Sequence, residues 1–198
     1  SPAVIRFLLP LTLFGKITDL GYSLPGLADK VQAVDMGEAL GSQYREASAI
    51  LLQKALDRLR TENDAGMLTT WFTTVRYRPM SAFRDEVVSF KGEPIMSLPA
   101  VVFDDRDQLP KEEKLAELVQ TNLRLGRKTL VFVEQTGTRD IRSRLQAVLR
   151  ERVPGANVQT LSANDMRPSK RELWIKRNAP LMDCLLVNAG LVKTGLDL

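Results

Sequence analysis

Lys128-Thr129-Leu130-Val131-Phe132-Val133 runs directly into Glu134-Gln135-Thr136-Gly137-Thr138-Arg139, and the reading of this stretch decides the fold. The first half is a short apolar run rich in β-branched and aromatic residues, the pattern of a strand buried on both faces. The second half is small and polar around a glycine, the pattern of a loop leaving such a strand. Outward from it, periodicity changes from strand to helix on both sides. Residues 111–125 place Leu115, Leu118 and Val119 on one helical face, with Gly126 positioned as a C-terminal stop. Residues 139–152 place Ile141, Leu145, Val148 and Leu149 on another, closed by Pro154 and Gly155. Residues 158–161 then read as a second strand, 169–177 as a helix and 183–187 as a third strand. Helices alternating with short apolar strands predict an α/β unit over 111–198, a parallel sheet flanked by helices.

Upstream the pattern is different. Residues 43–60 carry Ala47, Ile50, Leu51, Ala55, Leu56 and Leu59 at helical spacing. Residues 69–75, rich in Thr, Trp and Phe, accommodate helix or strand, and Pro79, Pro94 and Pro99 break the chain beyond them into short pieces. The acidic run Asp104-Asp105-Arg106-Asp107, ending at Pro110, reads as a surface connection. The expected organisation is therefore a mostly helical region over 1–110 joined to the α/β unit at 111–198. Residues 4–14 are the most apolar stretch, yet contain Arg6 and Pro10 and fall short of the ~20 residues a membrane span needs. With no small-residue cleavage site behind them, they are expected to pack as a helix or face a partner, and neither a membrane span nor a signal peptide is expected.

Composition removes whole classes of chemistry. The sequence has no histidine, so Ser-His and Cys-His mechanisms and His-ligated metals are excluded. Its one cysteine, Cys184, lies in the apolar run Cys184-Leu185-Leu186-Val187, which predicts a buried strand thiol and a reducing, intracellular setting. The net charge of +4 is unevenly placed: residues 1–110 carry 12 Lys/Arg against 14 Asp/Glu, and residues 111–198 carry 16 against 10. The positive excess thus sits in the second half, which suits a polyanionic partner or a solvated basic helix face.

In an open parallel sheet, ligands bind beyond the carboxyl ends of the strands. Three segments fall there. In 134–139, Gly137 permits an unusual backbone angle and Thr138 is placed to cap a helix whose first N–H groups suit a phosphate, although capping alone explains the same residues. Residues 162–167, from Ser162 to Arg167, are small and polar, with Lys170 and Arg171 close behind, which suits a nucleic-acid backbone or a solvated helix. Residues 188–198 hold Gly190, Gly195, Lys193 and Thr194. No GxxxxGK[ST] loop occurs, so the chain has no phosphate loop of that type.

Taken in order, the apolar strand with Gln135-Thr136-Gly137-Thr138-Arg139, the second strand with its loop and Arg-rich helix, and Asp183-Cys184-Leu185-Leu186-Val187-Asn188-Ala189 followed by Thr194-Gly195-Leu196-Asp197-Leu198 resemble motifs IV, IVa and V of the C-terminal RecA-like lobe of superfamily-two helicases and translocases. Leu24-Pro25, Tyr44, Trp71 to Pro79, Lys114 and the run from Leu125 to Gln135 are similar to the Swi/Snf-type subgroup. The resemblance is closest from Leu109 onward. It implies a RecA-like sheet in which Gln135, Thr136, Gly137, Thr138 and Arg139 approach the phosphates of the tracked strand, with Ser162 and Arg167 on the same side. It further implies that Thr194, Gly195 and Asp197 belong to the interlobe ATP cleft. Where the family has Thr six residues before the motif V glycine, this chain has Ala189, preceded by Asn188.

The resemblance also implies that the chain stops within motif V. ATP and Mg²⁺ would then bind only in the complete protein, because the phosphate loop and acidic metal-binding motif belong to the first RecA-like lobe and the arginine motif comes later. The expectation is a fragment of an ATP-dependent helicase or translocase. Its partners would be nucleic acid, DNA ahead of RNA, and the missing N-terminal lobe, and it would not hydrolyse ATP alone. Two other readings stand beside it. One is a noncatalytic α/β interaction module using the hydrophobic start and the 60–108 region. The other is a small-molecule α/β enzyme, for which no nucleophile–base pair or cofactor fingerprint appears.

Overall fold

The structure is a computed structural model that describes residues 28–102, 107–134 and 137–191, with the backbone alone at Thr138. The chain divides into two compact units, Ser1–Ala33 and Val34–Leu198. In the first, the described residues 28–33 are irregular and exposed. The apolar 4–14 stretch lies outside the described residues. The second unit includes residues on both sides of position 110.

Two helices and a hairpin open this unit. Helix α1 spans Gly37–Glu62 and ends on Asn63, whose left-handed backbone (φ 51°) stops the helix. Helix α2 spans Gly66–Ser81 and contains the ambiguous 69–75 segment. As a helix it buries Met67, Thr74 and Arg78, with Met67 and Trp71 packed against Ala47, Leu51 and Ala55 of α1. Pro79 sits in the last turn, and the helix ends two residues beyond it. Strands β1 (Glu86–Phe90) and β2 (Glu93–Leu98) then form an antiparallel hairpin that lays Val88 and Leu98 on the same core. Its two-residue turn, Lys91 (φ 51°) and Gly92 (φ 85°), has the positive angles of the tight turns that match strand twist. Arg78 locks the layer together: it is 1% exposed and donates to Gln43 Oε1 (2.8 Å), to the Arg84 carbonyl (2.9 Å) and to the Pro99 carbonyl.

The α/β part keeps the expected order. Helix α3 (Pro110–Arg124) leads to β3 (Thr129–Phe132), then α4 (Arg142–Arg152), β4 (Val158–Leu161), α5 (Pro168–Asn178) and β5 (Cys184–Val187). Gly126 (φ +65°) ends α3 as expected, with Arg127 N–H reaching back to the Asn122 carbonyl and Gly126 N–H to that of Leu123. The three strands are parallel in the order β3-β5-β4, so the last strand inserts between the first two and is buried at every position. Alternation along the strands gives the sheet two faces. Val131, Val133, Cys184, Leu186 and Val158 pack with Ala116 and Val119 of α3 and with Leu145 and Leu149 of α4. Leu161, Leu185 and Val187 pack with Ile175 and Trp174 of α5 on the opposite side.

Two expectations change. On α3 the inward positions are Glu112, Ala116 and Val119, while Leu118 is 46% exposed. The helix is turned because the buried carboxylate of Glu112 meets Arg144 of α4 (3.1 Å), a long-range pairing that apolar periodicity does not register. Thr138 does not cap α4: Gly137–Arg139 forms a 3-10 turn, and the helix starts three residues further on, with its first N–H, at Arg142, received by Asp140 Oδ1 (3.0 Å).

Candidate functional site

The order β3-β5-β4 determines where a cleft forms. The chain leaves β3 toward α4 on one face of the sheet and leaves β4 toward α5 on the other. The two loops therefore diverge around the carboxyl end of β5, the topological arrangement that opens a crevice in parallel sheets. A crevice of about 400 Å³ lies there, lined by Gly137, Asp140 and Arg142 after β3, by Ser162, Ala163 and Asn164 after β4, and by Asn188 and Leu191 after β5.

Each wall is built by local bonding. Gly137 takes a positive φ (+70°) with nothing within 4 Å of where a Cβ would stand, so the backbone angle, not crowding, selects glycine. The Arg142 guanidinium is 8% exposed by residue and fully committed: Nε and Nη2 donate to Asp140, and Nη1 donates to the Leu161 carbonyl at 2.6 Å. That last bond ties the start of α4 to the end of β4. The hydrogen bonds from Arg142 hold the Asp140 carboxyl below the usual aspartate range, with partial burial opposing them, and the same pairing raises Arg142. Ser162 N–H donates to Asp165 Oδ2 (2.6 Å), and its hydroxyl receives Asn164 N–H (3.2 Å), which folds that loop over β4. Asn188 bridges back to β3: Nδ2 donates to the Val133 carbonyl (3.0 Å) and to that of Glu134 (3.3 Å), while Oδ1 receives Gly190 N–H (2.8 Å).

Of the residues singled out from sequence, Gly137 and Ser162 line this crevice. Arg139 is drawn the other way, its Nη2 lying 2.6 Å from Glu86 Oε1 on β1. Arg167 is exposed at the start of α5, in the loop that carries Ser162, and its side chain has no partner among the described residues. Thr138 lies in the 3-10 turn between Gly137 and Arg139. Gln135, Thr136, Thr194, Gly195 and Asp197 lie outside the described residues. Asp140 and Arg142 emerge only in three dimensions, although an Asp two residues ahead of a helix start is a legible capping signal. The Asn188 amide, at the carboxyl end of β5, joins that strand to the end of β3.

Among the described residues, the crevice lining holds one carboxylate and one guanidinium, already paired, so this part of it is polar and close to neutral. Asp140 Oδ1 receives the first N–H of α4, so a carboxylate already stands at that helix end. Arg167 and Lys170, in the segment that follows the crevice residues Ser162, Ala163 and Asn164, are both exposed. Among the described residues, no group of three or more His, Cys, Asp or Glu side chains is placed to hold a metal ion. No described helix is long and apolar enough to cross a membrane. Compared with protein-family models, with curated proteins and with solved structures, the chain finds no match in any of the three.

Proposed function

We propose that this chain is part of a superfamily-two helicase or translocase, contributing a RecA-like lobe of the Swi/Snf-like kind that grips a nucleic-acid backbone at the crevice above β3, β5 and β4. The observation that carries the reading is convergence. Loops from three separate strands, chosen from sequence as candidate phosphate contacts, meet around one cleft at the carboxyl edge of the sheet. An α/β unit with a three-stranded parallel sheet between helices is compatible with such a lobe. Arg167 and Lys170 would take phosphates, with Ser162 and the backbone at Gly137 as neutral contacts. In this reading ATP and Mg²⁺ bind only beside the first RecA-like lobe, with Thr194, Gly195 and Asp197 on the nucleotide side, and the chain alone does not hydrolyse ATP.

The test is fluorescence anisotropy with a labelled DNA oligonucleotide, single- and double-stranded, between about 50 and 200 mM salt. Affinity should fall steeply with salt, and Arg167→Ala should weaken binding evenly across sequences while reducing the salt slope by about one. No binding at low salt, or binding indifferent to salt, would sink the proposal. A second reading, the noncatalytic interaction module, draws on a different observation. Leu130 and Phe132 of β3 are 39% and 54% exposed on the α5 side of the sheet, where α5 covers β4 and β5. That face would serve a protein partner whether or not DNA binds.

A further inference from the structure

The segment between β3 and α4 is tied at both ends to the α2–β1 layer by ion pairs of opposite sense. At its start the segment supplies the carboxylate: Arg76 Nη2 of α2 reaches Glu134 Oε2 at 2.5 Å and Oε1 at 2.7 Å. At its end the segment supplies the cation, with Arg139 Nη2 2.6 Å from Glu86 Oε1 of β1. The ring of Tyr77 stands between them, 5.8 Å from the Arg76 guanidinium and 6.0 Å from that of Arg139. The first pair is largely in water, so its strength is small. In the second, Arg139 is 31% exposed and Glu86 only 13%, so screening is weaker.

Glu86 is also served from behind. Its Oε2 lies 3.4 Å from the Ser81 hydroxyl, and its charge acts on the buried guanidinium of Arg78. The Ser81 hydroxyl stays beside the carboxylate if Arg139 departs. Arg139, for its part, lies in sequence between Gly137 and Asp140, two residues that line the crevice. The Arg139 side of the pair is the one adjacent in sequence to the candidate site.

We propose that Glu86 is an internal competitor for the polyanion: it holds Arg139 against β1 in the free chain, and a phosphodiester arriving at the crevice takes Arg139 from it. Occupation of the crevice is thereby coupled to how the β3–α4 segment sits on the α2–β1 layer. This rests on the nucleic-acid reading above. Glu86 is a positioning residue, acting through Arg139.

Anisotropy titration of the 198-residue chain with a DNA oligonucleotide at low salt tests it. Glu86→Gln should tighten binding roughly two- to fivefold and steepen the salt slope by about one. Glu86→Asp, which keeps the charge for Arg78 but withdraws the carboxylate, should give a smaller gain and guards against misfolding of the Gln variant. Combining Glu86→Gln with Arg139→Ala should erase the gain, because the two changes act through one contact. Glu134→Gln removes the same charge nearby and should give no comparable gain. Salt-sensitive wild-type binding with no gain in either Glu86 variant would overturn the competitor role alone. So would a gain that survives loss of Arg139 or is matched by Glu134→Gln. Absence of wild-type binding at low salt would bring down the nucleic-acid reading itself, and the competitor role with it.

Discussion

The side chain of Arg144 on α4 closes over the fully buried carboxylate of Glu112 on α3, with Nε 3.1 Å from Oε1 and Nη2 3.1 Å from Oε2. Glu112 Oε2 also receives the N–H of Leu109, so one carboxylate both starts α3 and joins it to α4. The ion pair thus sets which side of α3 faces the sheet.

Replacing Glu112 by Ala should cost about 3 kcal/mol, because Arg144, 14% exposed, would be left without its carboxylate. Glu112→Gln keeps an acceptor and should cost about half as much. Urea denaturation reads both as a lower midpoint with the slope unchanged. An Ala variant that unfolds at the wild-type midpoint would show that the pair contributes nothing to the joint.

Stability should fall in acid through Asp140. Its side-chain hydrogen bond with Arg142 lowers its folded pKa below the ordinary aspartate value of about 3.9. The associated stabilisation is therefore fully present above about pH 4 and disappears as pH drops through the lowered folded value. Wild type should exceed Asp140→Asn in stability by a constant margin from about pH 5 to 7, and that margin should shrink in more acid solution. A margin independent of pH down to unfolding would mean that the capping geometry matters and the charge does not.

Cys184 should be silent toward thiol reagents in the native chain. It is 1% exposed in the central strand, and burial pushes its thiol up to about 11. Little thiolate exists near neutral pH, and the side chain is buried in the core with Val119, Leu149 and Leu186. A disulfide reagent such as dithionitrobenzoate should titrate one equivalent in denaturant and almost none without it. Prompt labelling of the native chain would mean that β5 opens far more readily than a central strand should.

Local patterns carried much of the architecture. The burial of β3 on both faces expected from its apolar run is not met, because α5 covers β4 and β5 and leaves Leu130 and Phe132 39% and 54% exposed. The presence of strand β3, the α4 face of Ile141, Leu145, Val148 and Leu149, the stop at Gly126 and the burial of Cys184 all arise from short-range periodicity and backbone preference, and the structure reproduces them. So does the positive φ at Gly137. The hairpin of β1 and β2 was obscured because Pro94 and an irregular register near Ser89 interrupt its alternation. Residues 69–75 favoured neither state locally, and contact with α1 decided between them.

The candidate site shows the same division. Loops at the carboxyl ends of three strands can be located from the order of elements alone, since a parallel sheet must place them at one edge. Which of their charges remain available depends on partners far away in the chain. Arg139 looked free until β1 brought Glu86 to it, and Arg142 drew no notice until Leu161 and Asp140 enclosed it. Charge and periodicity are properties of neighbours in sequence, whereas neutralisation acts over a few ångströms in space. Residue order thus placed the crevice, and folding decided which nearby charges are neutralised.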